Sequence, residues 1–135
     1  MTTPTPLAIV QNVYAAFGSG DLPKLLGHLA TDCVWEFVGP ASIPYCRRAT
    51  SHEGIQRFFA DVAANDDIQA FEPREFMVGA DSVTVLGWER TIAKPTGRTF
   101  ETDWVHVWQI KDGKVTRFKG FYDSAAVVES RRASA

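Results

Sequence analysis

Apolar residues recur at helical spacing in the first half of the chain and at every second position in the second half. Val10, Val13, Tyr14 and Phe17 fall at i, i+3, i+4 and i+7, one face of a helix. Thr5-Pro6 supplies a capping hydroxyl and a proline at the first helical position, and Gly18 and Gly20 close the segment. Asp21 caps a second short helix with Leu22, Leu25, Leu26 and Leu29 on its stripe. Cys33 to Val38 has strand character, and Gly39 to Ala49 is a loop broken by Pro40 and Pro44. Thr50 followed by Glu53 makes a capping box for a third helix that turns Ile55, Phe58, Phe59 and Val62 inward.

After Asn65-Asp66-Asp67 the period changes to two. Gln69 to Val78 reads as a strand that Pro73 confines to a sheet edge or a bulge. Three long strands follow, Ser82 to Lys94, Arg98 to Lys111 and Lys114 to Tyr122, joined by turns at Thr96-Gly97 and Asp112-Gly113. Ser124 to Arg132 predicts a short last helix capped by Asp123 or Ser124. Runs of helix followed by runs of strand predict an α+β fold. A strongly curved sheet with three helices across its concave face closes a cone with one open mouth, and all 135 residues are expected to form one domain.

A two-residue loop at Thr96-Gly97 sets a register. It places Arg90 opposite Asp103, Glu89 opposite Trp104, Gly87 opposite His106 and Val85 opposite Trp108. A three-residue loop at Lys111-Asp112-Gly113 then pairs His106 with Phe118, Trp104 with Gly120 and Thr102 with Tyr122. One face of the sheet therefore carries Glu89, Trp104, His106, Trp108, Phe118 and Tyr122. The opposite face carries Trp88, Val105, Val107 and Phe121 edged by charges, the mixed composition of a subunit interface, and predicts a homodimer through the sheet.

Composition narrows the function classes. The chain is 45% apolar and 22% charged with a net charge of −2, so it lacks the basic footprint of a nucleic-acid surface. No apolar run reaches membrane-spanning length, and Met1-Thr-Thr-Pro-Thr-Pro lacks the basic start and apolar stretch of a signal peptide, so cytoplasm is the expected location. Cys33 and Cys46 make neither a metal-ligand pattern nor a disulfide framework. No metal and no cofactor are expected.

Large aromatics around one titratable group describe a cavity wall. Trp35, Phe37, Phe58, Trp104, Trp108, Phe118 and Tyr122 are its expected lining, and Tyr14 offers a hydroxyl from the first helix. An alternative reading, a pure dimerisation scaffold, needs these rings to fill the cone; an open cavity of roughly a few hundred Å³ would argue against it. His106 is the candidate acid or base, since an imidazole titrates near neutral pH. Glu89 either holds the His106 ring or is itself the base. The competing reading makes His106 a hydrogen-bonded core residue and puts Glu89 at a hydrated rim. Asp123 is a third candidate, set against its use as a helix cap. Arg47 and Arg48 beside Cys46 would lower that thiol's pKa if they faced it; an inert loop cysteine is the alternative.

Phe-Gly-Ser-Gly-Asp, then Ala-Thr-Asp-Cys-Val-Trp-Glu, Val-His-Val-Trp-Gln-Ile-Lys-Asp-Gly-Lys-Val and Phe-Tyr-Asp-Ser-Ala-Ala resemble the SnoaL-like polyketide cyclases of the nuclear-transport-factor-2-like, or ketosteroid isomerase-like, superfamily. The resemblance runs from about Leu7 to Val128. It implies a conical α+β barrel with a deep pocket, usually dimeric. Ser51 departs from it, standing where many relatives have glycine. The isomerase's base, Tyr and donor Asp fall at Phe37, Val13 and His106, so its triad is absent. In the cyclases an Asp and a His do acid–base work, which the resemblance carries to His106 and Asp123. Two functions follow: a cofactor-independent cyclase, isomerase or lyase acting on a hydrophobic carbonyl-bearing compound, or a non-catalytic binder with the same cavity.

Overall fold

The computed structural model describes residues 4–132; residues 1–3, which begin the N-terminal segment read above, lie outside them. The chain runs α1 (Pro6–Gly18), α2 (Leu22–Gly27), β1 (Leu29–Phe37), β2 (Arg48–Ala49), α3 (His52–Asn65), β3 (Asp66–Val78), β4 (Ser82–Ala93), β5 (Arg98–Lys111), β6 (Lys114–Tyr122) and α4 (Ser124–Ser130). The α+β class is as expected. The six strands form one mixed sheet in the order β2-β1-β6-β5-β4-β3. β1 runs parallel to β6, and every other pair is antiparallel.

Side-chain caps set the helix starts. The Thr5 hydroxyl accepts from Ala8 N and Asp21 from Lys24 N. At α3 the cap is Ser51, whose Oγ accepts from Gly54 N at 3.1 Å, and not Thr50. The residue that departs from the family pattern therefore does the capping. α3 then passes straight into β3 at Asp66 instead of through a turn. β3 is an edge strand with register shifts beside Gln69 and Arg74, which accommodates Pro73 as predicted.

Both hairpins correct the expected register. Pro95 has no N–H for the ladder. Pairing therefore stops at Ala93↔Arg98, and the Ala93 carbonyl accepts from Thr96 N and Gly97 N across a four-residue turn. The whole β4–β5 ladder is displaced by two residues: Val85 faces His106, Gly87 faces Trp104, and Glu89 faces Thr102. Arg90 pairs with Glu101 at 3.2 Å, not with Asp103. The second hairpin closes on two residues, Asp112 and Gly113, with φ of 52° and 77°. A bulge in β6 at Thr116 supplies the extra residue, so Phe118 and Tyr122 still share the His106 face. Trp108 pairs with Phe118, His106 with Gly120, and Trp104 with Tyr122.

Because the β4–β5 displacement is even, every side chain stays on its predicted face. Val83, Val85, Trp104, Trp108 and Phe118 are buried under Ile9, Val10 and Val13 of α1, Leu25 of α2, and Ile55 and Phe58 of α3. Trp88, Val105 and Val107 on the far side are half-buried, and Phe121 is 37% exposed. The loop before β2 buries Ile43 and Tyr45, which the breaker prolines had hidden from a pattern reading.

Candidate functional site

The inner face encloses a cavity whose lining includes all eight predicted wall residues, Tyr14, Trp35, Phe37, Phe58, Trp104, Trp108, Phe118 and Tyr122, together with His106 and Glu89. Two glycines make room for its rings. A methyl group on Gly87 would lie 2.2 Å from the Trp104 indole, and one on Gly120 would lie 2.8 Å from Phe37. The free space is about 80 Å³. That is well below the roughly 300–1,000 Å³ of a preformed pocket for a drug-sized ligand. The open cavity of a few hundred Å³ that would have argued against a dimerisation scaffold is therefore not present, because the rings pack into it. Trp104 stacks between Phe71 and His106 at centroid distances of 4.8 and 4.0 Å, and Trp35 stacks on Phe118 at 4.0 Å.

At the inner end His106 is held by Tyr14, not by Glu89. Trp108 Nε1 donates to the Tyr14 hydroxyl at 3.1 Å, and that hydroxyl lies 2.7 Å from His106 Nδ1. The direction of the Tyr14–His106 bond follows the imidazole tautomer: when the hydroxyl, already accepting from Trp108, donates to Nδ1, the imidazole carries hydrogen on Nε2. That Nε2–H has no protein partner among the described residues and is left to the cavity. Burial pushes the His106 pKa down to about 3, so the ring is neutral near pH 7. A buried neutral imidazole of this kind is a hydrogen-bond donor rather than a base.

At the outer end Glu89 is 7% exposed and accepts from the Thr91 hydroxyl at 3.0 Å. Burial lifts its pKa to about 7; the Thr91 bond lowers it and the charge of Asp66 adds to the rise. Two sequence-distant residues join it. Tyr45 donates to Asp66 Oδ2 at 2.7 Å, and Tyr122 donates to Tyr45 at 3.1 Å. Asp66 Oδ1 is buried without a partner, and burial raises that carboxyl's pKa. Tyr45 and Asp66 were missed because one follows a breaker proline and the other sits in an Asn-Asp-Asp run that reads as a turn. Their only legible signal was a tyrosine and an acid bracketing a helix that already faced the cavity.

Asp123 lies away from these groups. It is exposed, and its Oδ1 accepts from Ala125 N and Ala126 N as the cap of α4. Cys46 is not activated: burial raises its pKa, and Arg47 is turned to Asp61. Among the described residues no three His, Cys, Asp or Glu side chains gather as a metal-ligand set, and no helix is long and apolar enough to cross a membrane.

Fold and site together define a conical α+β protein with an aromatic cavity that is polar at both ends. The chain belongs to the SnoaL-like domain family, whose model matches residues 10–118. Solved structures share the fold over nearly the whole chain. An NTF2-like protein of Burkholderia thailandensis E264 is 26% identical, with a TM-score of 0.88, covering 96% of this chain and 99% of that one. One from Burkholderia pseudomallei K96243 is 27% identical, also at 0.88, over 98% and 100%. TerC co-crystallized with polyporic acid is 27% identical at 0.84, over 94% and 98%. No curated protein matches the chain.

Proposed function

We propose that this chain is a cofactor-independent acid–base enzyme, a cyclase, isomerase or lyase, acting on a hydrophobic carbonyl-bearing compound. The observation that carries the reading is Glu89, a buried carboxyl on an aromatic wall with its pKa near 7. A general base works best with a pKa close to the operating pH. The roles expected of the two groups are exchanged in part. Glu89 takes the proton from carbon, the electron pair moves onto the carbonyl oxygen, and the Nε2–H of neutral His106 hydrogen-bonds the developing oxyanion. Protonated Glu89 then returns the proton at another carbon, or the enolate carbon closes onto a second carbonyl, whose oxygen takes up the electron pair and then the proton from Glu89. Asp123 has no part in this scheme.

Glu89 and the residue opposite His106, Val85, are four positions apart on β4. That is about 13 Å of strand. Both groups act on one molecule only through a conjugated skeleton, and such a ligand displaces the Trp104–Phe71 stack. TerC, co-crystallized with polyporic acid, supports a small-molecule ligand for this fold. The test is exchange of the terminal methyl hydrogens of 3,5,7-nonatrien-2-one, which the conjugated chain acidifies at a distance from the carbonyl, in D2O, followed by NMR. Catalysed exchange that is lost in Glu89→Gln supports the reading; exchange unchanged in that variant refutes it.

The narrow cavity favours one alternative, a non-catalytic binder of small ring compounds. It predicts retention of a ligand without exchange. The reading extends to a homodimer through Trp88, Val105, Val107 and Phe121, and to a single-domain protein working in the cytoplasm.

A further inference from the structure

The outer polar end of the cavity is closed by a one-way chain of donors. At the outer end the Cys46 thiol lies 3.7 Å from the Tyr122 hydroxyl, Tyr122 donates to Tyr45, and Tyr45 donates to Asp66 Oδ2. Each hydroxyl has one proton, so this chain leaves none for Asp66 Oδ1. Of the nearby cations, Lys94 Nζ bonds the Ala63 carbonyl at 2.6 Å, and Arg131 bonds Asn65 Oδ1 through Nη2 at 3.1 Å while its Nη1 is buried without a partner and makes no hydrogen bond to Asp66. Asp66 is 8% exposed, lines the cavity beside Ile68 and Phe71, and keeps an unpaired carboxylate oxygen. Native proteins rarely leave such an atom bare, because desolvation is then uncompensated.

We propose that Asp66 is the specificity-determining residue of the cavity, its Oδ1 accepting a hydrogen bond from an O–H or N–H donor on a ring-bearing ligand. This rests on the reading of the cavity as a ligand site. The inner end presents a donor, the Nε2–H of His106 in the tautomer whose Nδ1 accepts from Tyr14, with the unpartnered indole N–H groups of Trp35 and Trp104 on the same wall, and the outer end an acceptor. The complementary molecule therefore carries a carbonyl at one end and a hydroxyl or amine at the other, across an apolar ring body. That narrows the substrate class to hydroxy- or amino-substituted aromatic carbonyl compounds.

The test compares phenol with toluene, nearly equal in shape and differing in the donor. Affinities are measured through the tryptophan fluorescence of the wild-type protein, Asp66→Leu and Asp66→Asn, with circular dichroism confirming each fold. The ratio of the two affinities cancels the difference in hydrophobicity. We expect the phenol-to-toluene ratio to fall at least tenfold in Asp66→Leu and less in Asp66→Asn, whose amide oxygen remains an uncharged acceptor. If Asp66→Leu does not fold, a threefold fall in Asp66→Asn supports the assignment. Binding of both probes with an unchanged ratio in the folded variants overturns the role of Asp66 and leaves the cavity as a ligand site. Binding of neither probe by the wild type overturns the cavity reading and this assignment with it.

Discussion

Glu89 and His106 pull the stability of the fold in opposite directions as pH changes, and Glu89→Gln separates them. Burial raises the Glu89 pKa from 4.5 to about 7, so the folded state binds this proton more tightly than the unfolded state. Its contribution is complete below about pH 4.5 and is lost as pH rises through 7. At about 1.4 kcal/mol per unit, the swing is about 3 kcal/mol. The His106 pKa is depressed from 6.5 to about 3. Its contribution is therefore complete above 6.5 and is lost as pH falls toward 3. Between roughly pH 4.5 and 6.5 the two slopes have opposite signs and nearly equal size, so they cancel. Asp66, also raised by burial, adds a component with the sign of Glu89. Urea unfolding of wild type and Glu89→Gln at half-unit steps from pH 4.5 to 8 reads the difference directly. The stability of Glu89→Gln relative to wild type should rise by about 3 kcal/mol across that range. A difference that stays constant with pH would mean that Glu89 titrates like a hydrated carboxyl, and the base assigned above would be lost.

Gly87→Ala reverses an expectation from strand propensity. Replacing glycine within a strand ordinarily stabilises by about 0.5–1 kcal/mol, but here the new methyl meets Trp104 at 2.2 Å. Overpacking should cost about 1–3 kcal/mol in thermal or urea unfolding, with partial rescue by Trp104→Phe. Tyr14→Phe removes the hydroxyl between Trp108 and His106 and should cost about 1–3 kcal/mol, because it leaves the Trp108 N–H unpaired. A stability equal to wild type would mean that the Tyr14 hydroxyl is not what satisfies the Trp108 N–H. Phe121→Glu places a charge at the centre of the proposed interface; sedimentation should show the mass halved, and an unaltered dimer would remove this face from consideration.

Much of the fold is legible as local physics. Thr5-Pro6, Asp21 and Asp123 start helices because their side chains satisfy N–H groups that a helix leaves bare. The cavity wall was legible because strand side chains alternate, and no even error in pairing moves one to the other face. Trp104, His106, Trp108, Phe118 and Tyr122 are together for that reason.

What the chain determines by itself is therefore the set of elements and which side chains face inward, since capping and period are properties of neighbouring residues. Who touches whom was decided only in the tertiary structure. Pro95 and the bulge at Thr116 moved cross-strand partners by two residues, about 7 Å along a strand, which took Glu89 away from His106 and put Trp104 between them. Tyr14 reaches His106 across 92 positions, and Tyr45 reaches Asp66 across 21, through helix packing that no local pattern encodes. The pKa of about 7 at Glu89 and about 3 at His106 follow from that burial, because desolvation belongs to the assembled cavity and not to any residue alone.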